Sequence, residues 1–493
     1  MGDDRVDLDE SRRWEGMWWL PDEQENPIPG ILHYRPGNGL ELSLIGAFED
    51  RITSTPAPGV TAVHEGHRTW DVIHGAAEHR EITLLGCIPT GGLRTYGARV
   101  DSPDKQIIDA TTALVGVHIG GDRDVTFAAA AVSVEDMGAW AASSVLETVI
   151  GAPDGKLDGS GSISVSRRAA ESVLVGETEY RLEHSYGLPF LDRRTGGTVG
   201  RMRDTAFMRI VPREPISWRD AVAAVALVQD LIAFATHRAA GVIWLRLELA
   251  GPDPHQVPGR PARPRYAEAI YSPSAVGKQD ATAVSHHHVF FTCESLRFEE
   301  VMPRWCEARE RLHAATNMIL GLRYAPARYV EANLLTAVGA AEVLHRGLRI
   351  DERPFPPEEF ERLRNAMLEQ VPEKHRARFK GSLRNDPTLR DRLYALAARP
   401  DQDAIALLIP DVDRWARRTT KARNDLAHEG RTPNHSLEEL AAVVEVTTAM
   451  VILNILHELG LPGQRQCEIV QTHPQLRLTA NLAREQLTAP ANS

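Results

Sequence analysis

Cysteine is scarce in this sequence. Cys87, Cys293, Cys306 and Cys467 are scattered along 493 residues, and no two form a CxxC pair. That scatter excludes a disulfide framework and a sulfur-rich zinc site. No HExxH occurs, since His457-Glu458 lacks the second histidine. There is no G-x-S-x-G elbow, and Gly159-Ser-Gly161 lacks the lysine-serine of a phosphate loop. Strongly apolar runs such as Ala221 to Val228 fall short of a membrane span, and the acidic start MGDDRVDLDE lacks the apolar core of a signal peptide. A cytoplasmic protein in a reducing compartment, with no membrane partner, is therefore expected. A general basic excess is missing too. The formal net charge is -11, so any contact with nucleic acid must rest on a local patch.

What is present fits a globular chain, with 43% apolar and 25% charged residues. The length admits two to four domains. After a polar start to about residue 13, Trp14, Trp18 and Trp19 cluster with Pro21, Pro27 and Pro29. Core packing is the expected use of these indoles, in preference to stacking on bases or a peptide. Gly30 to Tyr34 and Leu40 to Ile45 read as paired strands. Pro36-Gly-Asn-Gly39 between them suits a turn that needs positive φ. Leu40, Leu42 and Leu44 alternate with Glu41 and Ser43.

Further strands are expected at Trp70 to His74, Glu81 to Cys87, Thr111 to Ile119, Ala169 to Leu174, Ile243 to Leu249 and His287 to Cys293. One helix, Trp218 to His237, interrupts them, and a proline-rich loop spans Gly251 to Arg265. No strand-helix alternation appears, which favours antiparallel pairing.

From Glu299 the period is helical. Segments are expected at Glu299 to Gly321, Ala327 to Gly347, from Pro356-Pro357 onward, Leu389 to Ala397, Ala404 to Ile409 and Asp411 to Glu429. Ser436-Leu-Glu-Glu439 has the form of a capping box for a long helix. Leu437, Leu440, Ala441, Val444, Val451, Ile455 and Leu459 would line one side of it. The expected fold class is α+β and multidomain. A mainly antiparallel β domain (1–295) is followed by an all-α helical bundle (300–465) and a poorly ordered tail (471–493).

The histidines offer little for a metal. Neighbours in a strand point to opposite faces, so His286, His287 and His288 do not readily converge on one ion. His64, His67, His74 and His79 fit no standard ligand spacing. A metal-dependent hydrolase in the N-terminal half rests on these residues alone.

The stretch that suggests chemistry is the helix containing Arg414 to Glu429. Arg414, Arg417, Arg418, Lys421 and Arg423 precede His428. Trp415, Thr419, Ala422 and Leu426 form its apolar or small face, and Gly430 is placed to stop it. Asn424 and His428 share a face at i,i+4. Arg423 and His428 diverge by about 140° around the axis and about 7.5 Å along it. They would flank one phosphate only at an edge, or with a second copy of the helix contributing. The competing reading is a solvated basic face whose terminal histidine is favoured by the helix dipole.

Arg423-Asn-Asp-Leu-Ala-His428 resembles the R-x(4-6)-H motif of the HEPN superfamily, with Asn424 as the polar residue after the arginine. Trp305, Tyr329-Val-Glu-Ala-Asn-Leu-Leu335, Ala341-Glu-Val-Leu-His-Arg346 and Asn385 to Leu393 resemble the rest of the HEPN-like domain in ApeA-type anti-phage proteins. Gly16-Met-Trp-Trp-Leu-Pro21, Gly30-Ile-Leu32, Leu42 to Gly46 and Val134 to Trp140 resemble the N-terminal domain of the same proteins.

The resemblance implies an abortive-infection factor. Its dimeric C-terminal domain would be a metal-independent endoribonuclease, and its β-rich N-terminal domain would sense infection or regulate the nuclease. The implied partners are RNA, with tRNA one candidate, a second copy of the chain and a phage-derived trigger. RNA carries its own nucleophile, the 2′-hydroxyl, so no cofactor is required. His428 suits general acid or base work. Arg423 suits bidentate contact with the scissile phosphate, and Asn424 suits orienting His428 or donating to a phosphate oxygen. Arg414, Arg417, Arg418 and Lys421 would position the RNA backbone. Glu331 and Glu342 are candidates to support the site, against a reading as structural salt-bridge partners. His435 is the other nearby histidine. A non-catalytic RNA-binding or regulatory module is the alternative use of the same patch.

Overall fold

A computed structural model describes residues 5–48, 52–57, 60–64, 68–93, 103–252, 263–350 and 353–488. The chain divides into two compact units. The first comprises Met1–Val284 with Phe291–Met302, and the second Ser285–Phe290 with Pro303–Ser493.

The first unit is built from β1 (Arg12–Trp19), β2 (Ile28–Arg35), β3 (Gly39–Ile45), β4 (Ile52–Ala57), β5 (Val60–His64), β6 (Trp70–Ala77), β7 (Arg80–Leu93), β8 (Lys105–Ala110), β9 (Thr112–Val115) and β10 (Phe127–Val134). After the short helix α1 (Met137–Ala141) come β11 (Leu146–Ile150), β12 (Gly161–Val165), β13 (Glu171–Val175), β14 (Thr178–Tyr186), β15 (Phe190–Arg194), β16 (Gly197–Arg201) and β17 (Asp204–Pro212). Helix α2 (Trp218–Thr236), β18 (Val242–Leu249) and β19 (Tyr266–Tyr271) follow.

Thirteen strands form one sheet in the order β13-β14-β17-β10-β18-β19-β9-β7-β6-β1-β2-β3-β8. A further β7–β8 pairing closes β7-β6-β1-β2-β3-β8 into a barrel and leaves the remainder as an open wing. The ladders are antiparallel, as the turn-rich sequence implies. β4–β5, β11–β12 and β15–β16 are separate hairpins.

The barrel is filled by its alternating rows. Leu40, Leu42 and Leu44 are buried, with Glu41 and Ser43 between them. Gly37 and Gly39 in the β2–β3 turn have φ of 83° and 86°, a region open to glycine at no steric cost. Trp14, Trp18 and Trp19 belong to the core, with Trp18 fully buried. Gly75 makes room for it, since a Cβ there would lie 2.3 Å from the indole. In α2 a reciprocal capping box joins Ser217 and Asp220, and Val225, Val228 and Leu231 are buried.

One expectation in this half needs correction. His287 to Cys293 is not a strand. His286–His288 form an exposed 3₁₀ turn, and Phe290 and Phe291 are buried without strand pairing. The apolar content there reflects packing alone. His67 and residues 253–262 of the proline-rich loop lie outside the described residues. Among the described residues, no three His, Cys, Asp or Glu side chains gather as metal ligands would. His74 is committed elsewhere, with Nε2 2.9 Å from the Ile119 carbonyl and its ring stacked on His118.

The second unit is helical. Helix α3 (Phe298–Tyr324), inside which the division falls, is followed by α4 (Val330–Gly347), α5 (Pro357–Glu369), α6 (Glu373–Ser382), α7 (Leu389–Ala397), α8 (Gln402–Leu408), α9 (Val412–Glu429), α10 (Leu437–Glu458), α11 (Gly463–Thr472) and α12 (Pro474–Gln486). Helix α10 is the axis of the bundle, in contact with α4, α7, α9, α11 and α12. It is buried on nearly every side, as a helix apolar all round must be.

The one-sided reading of α10 is therefore corrected, and Leu437, assigned to its core face, is 65% exposed. The expectation that no apolar run reaches membrane length also misses α10. It is long and apolar enough by composition, with a mean hydropathy of 1.8, and 83% of that window is buried.

The tail expected to be loose from residue 471 is instead helix α12. Leu476, Thr479, Ala480 and Ala483 form a buried stripe at helical spacing, and α12 packs on α10 and α8. His473 caps this helix and is 1% exposed, with Nε2–H donating to the His288 carbonyl at 3.2 Å. Burial pushes its pKa down to about 4. The unfolded chain, with histidine near 6.5, takes the proton first. This contribution to stability is thus full above about pH 6.5 and is lost as pH falls toward 4. The loss from this group alone is roughly 3 kcal/mol. Melting temperatures at pH 7 and pH 4.5 should show a smaller drop for His473→Gln than for wild type. An equal drop in both would show that His473 is not a source of acid sensitivity.

Candidate active site

Helix α9 carries the candidate residues. The Asp411 side chain caps its start by accepting from the Arg414 N–H at 2.8 Å. Gly430 ends it at φ 68°, its N–H donating to the Leu426 carbonyl at 3.0 Å. Trp415, Ala416, Thr419 and Ala422 are buried, and the indole Nε1–H of Trp415 donates to Thr447 Oγ1 of α10 at 3.2 Å. The opposite ridge is exposed and reads Arg417, Lys421, Asn424, His428, spaced by four, three and four. Arg423 lies beside this ridge, half-buried.

Two partners hold Arg423. Its Nη2 is 3.4 Å from a carboxylate oxygen of Glu342 on α4, and its Nη1 donates to Asn424 Oδ1 at 3.3 Å. Glu342 thus reaches Arg423, whereas Glu331 is exposed near the start of α4 and is not among the partners of Arg423. Asn424 is turned to Arg423. Among the described residues His428 has neither a hydrogen-bond nor an ion-pair partner, so its ring is not oriented by Asn424 in the single chain.

The basic run is more neutral than its sequence suggests. Arg417 pairs with Asp413 at 2.6 Å and Lys421 with Asp425 at 3.4 Å. Arg418 forks onto the Glu439 carboxylate and donates to the Asn434 carbonyl at 2.6 Å. Arg414 is half-buried. Asp413 is also bound by Tyr394 and Arg390, and these hydrogen bonds hold its carboxyl below the usual range. Asn434 and Lys421 do the same for Asp425.

Glu439 has consequently left the expected capping box. Ser436 still accepts from the Glu439 N–H, but the carboxylate turns to Arg418, a charged partner that outweighs one neutral N–H. His435 is also taken, its Nε2 lying 3.2 Å from the Arg418 carbonyl. Burial and the Arg418 charge lower its pKa. It serves to fix the α9–α10 turn rather than to offer a second proton-transfer group.

Sequence reasoning missed Asp413 and Glu439. For Asp413 a signal existed, since Asp413 and Arg417 are i,i+4 on α9. For Glu439 the partner is on another helix, and nothing local indicates it.

The sequence matches the ApeA N-terminal domain 1 family over residues 13–305 and the Apea-like HEPN family over residues 335–465. Glu342, Arg423, Asn424 and His428 fall inside the second match, and Glu331 precedes it. Trp305, grouped above with the helical domain, is the last residue of the first match. The chain matches no curated protein and no solved structure. The first match alone spans more than half of the chain, and the second covers the helices that carry the site. The chain therefore belongs to the ApeA family, joining an ApeA N-terminal domain to an Apea-like HEPN domain, a ribonuclease-type helical module.

Proposed function

We propose that this protein is a metal-independent endoribonuclease of anti-phage defence, acting by abortive infection. The observation that carries the reading is the pairing of a positioned arginine with an unengaged histidine. Arg423 is held by Glu342 and Asn424 beside the exposed ridge that ends in His428. His428 takes the proton of the RNA 2′-hydroxyl or protonates the leaving 5′-oxygen. Arg423 binds the non-bridging oxygens and offsets the charge that grows on the pentacoordinate phosphorus. The products are a 2′,3′-cyclic phosphate and a 5′-hydroxyl. Asn424 and Glu342 are positioning residues for Arg423.

A complete site takes two chains. The angular offset along α9 keeps Arg423 and His428 from readily facing one phosphate, and a second α9 across a two-fold axis brings the complementary pair. The RNA-backbone contacts come from Arg417 and Lys421 on the ridge, with Arg414 and Arg418 at its flank. The first two must exchange Asp413 and Asp425 for phosphate, so their contribution is small and weakens with salt.

The test is incubation of purified protein with total RNA and with tRNA in EDTA, followed by end analysis of the fragments. Cyclic-phosphate ends made by wild type and absent with His428→Ala support the proposal. Salt-sensitive RNA binding that survives His428→Ala, with no cyclic ends, supports the alternative of a non-catalytic binding module.

Glu342→Ala is expected to lower kcat by about 10- to 100-fold with little change in KM, because it frees the arginine that must meet the phosphate. Glu342→Gln keeps the size and polarity of the side chain but loses its charge, and should fall between. A rise in activity would instead identify Glu342 as an inhibitory partner that competes with phosphate.

A further inference from the structure

We propose that the N-terminal unit contains a second, separate active site, a Ser143–His184–Asp204 triad that hydrolyses esters of apolar acyl groups. Three side chains from three elements are in line. Ser143 Oγ lies 3.1 Å from His184 Nε2, and His184 Nδ1 lies 2.9 Å from Asp204 Oδ1. The carboxylate on Nδ1 fixes the proton there, which leaves Nε2 to accept from the serine hydroxyl. The other oxygen of Asp204 accepts from Ser144 Oγ at 2.8 Å and from the Val145 N–H at 3.0 Å. Asp204 is thereby locked, and the imidazole is oriented by a locked group. His184 and Asp204 side chains are only 5% and 11% exposed, and Ser143 is half-buried.

The fold builds this arrangement at the end of two apolar rows. On β14 the inward row is Tyr180, Leu182, His184, and on β17 it is Ile210, Met208, Ala206, Asp204. The rows pair in antiparallel register with His184 opposite Ala206. A histidine and an aspartate thus occupy positions the pattern assigns to core residues.

Ser143 is delivered by α1, whose Trp140 is fully buried. The chain leaves α1 through Ala142 at φ 50° and ψ 31°, a left-handed conformation that is uncommon for alanine and turns Ser143 away from the helix path. Among the described residues the backbone N–H groups of Ser143 and Ser144 have no hydrogen-bond partner, so donors for an oxyanion are present beside the nucleophile.

The substrate class is indicated by a hollow that none of the three triad residues lines but that reaches Leu146, whose N–H donates to Ser144 Oγ at 3.0 Å, and Arg203, next to Asp204. This hollow of about 820 Å³ is lined by Leu146, Ile163, Leu188, Phe190, Leu191 and Met202. Leu146 is three residues past Ser143, and Met202 is two before Asp204. Leu188, Phe190 and Leu191 are 79%, 65% and 69% exposed, a concentration of apolar surface that an acyl chain would cover.

In the acylation step a bond forms between Ser143 Oγ and the carbonyl carbon. The serine proton moves to His184 Nε2 and then to the leaving alkoxide as the carbon–oxygen ester bond breaks. Water repeats the sequence in reverse, giving its proton to His184, releasing the carboxylic acid and restoring Ser143. The chain order Ser, His, Asp is no obstacle, since such triads are defined by geometry and role.

The test uses the full-length protein with a fluorophosphonate probe and p-nitrophenyl octanoate. The expected result is an adduct on Ser143 of native protein, absent after heat denaturation. Probe uptake and ester turnover should fall by about 100-fold or more in Ser143→Ala, His184→Gln and Asp204→Asn, with melting temperatures recorded for each. Three outcomes overturn the proposal. They are no adduct at Ser143 in native wild type, equal labelling before and after denaturation, and wild-type reactivity in folded His184→Gln. Should a variant fail to fold, the contrast between native and denatured wild type decides alone.

Discussion

His428→Ala is expected to reduce RNA cleavage in EDTA by about 1,000-fold, and Arg423→Ala by about 100- to 1,000-fold. The two losses have different causes. Without His428 no group on the exposed ridge of α9 can move a proton at neutral pH, because His435 is bound to the Arg418 carbonyl and burial lowers its pKa. Without Arg423 the phosphate loses its bidentate partner, and Glu342 is left as a carboxylate of 18% exposure with no cation. Arg423→Lys should not restore activity, since a single ammonium cannot reproduce the planar fork. The double variant should be little worse than either single one, because residues that act as a unit are not additive.

Initial rates on tRNA measure all of this. Equal residual cleavage in wild type and both single variants would remove the proposal. A defence nuclease is expected to be silent until triggered, so the same variants belong in cells as well. Growth arrest on overexpression, relieved by His428→Ala, reports the activity without knowledge of the trigger.

Trp415→Ala is expected to destabilise the helical unit by about 3–5 kcal/mol. Trp415 is fully buried on the inner face of α9, and its Nε1–H donates to Thr447 Oγ1 of α10. The substitution opens a large cavity and strips a buried hydroxyl of its partner at the contact that seats the active helix. For a unit of this size the melting temperature should fall by roughly 10 °C, and RNA cleavage should fall with it as α9 loosens. Trp415→Phe should cost less, about 1–2 kcal/mol, mainly through the lost hydrogen bond and some volume. Circular dichroism melts of the three proteins check the order. A Trp415→Ala transition within 2 °C of wild type would show that α9 is not seated by this side chain.

Much of the helical half was legible in the sequence because its punctuation is local. Leu389 to Ala397 was found at both ends, and the structure adds the Thr388–Asp391 capping box that starts it. Helix α9 was found between Asp411 and Gly430 because a cap and a left-handed glycine act within a few residues. The β half was legible as antiparallel, since alternation and turns are also local. Its closure was not. Closure needs β8 to pair both with β7, through a bulge between Pro89 and Gly91, and with β3, from which β4 to β7 separate it in the chain.

The candidate site divides along the same line. The sequence by itself determined which helix bears the basic run, which face it buries, where it stops, and that Arg423 and His428 point in different directions. Those are consequences of helical geometry and composition. Only the tertiary structure decided that Glu342 and not Glu331 reaches Arg423, that Glu439 leaves its cap for Arg418, and that every cation on the ridge of α9 has a carboxylate beside it. Ion pairs between elements depend on how α4 and α10 pack against α9. Packing is set by the whole apolar core, so no window of the sequence holds that information. The basic helix first read as a positive surface is, once folded, a largely neutralised one that presents a single positioned arginine and an unengaged histidine.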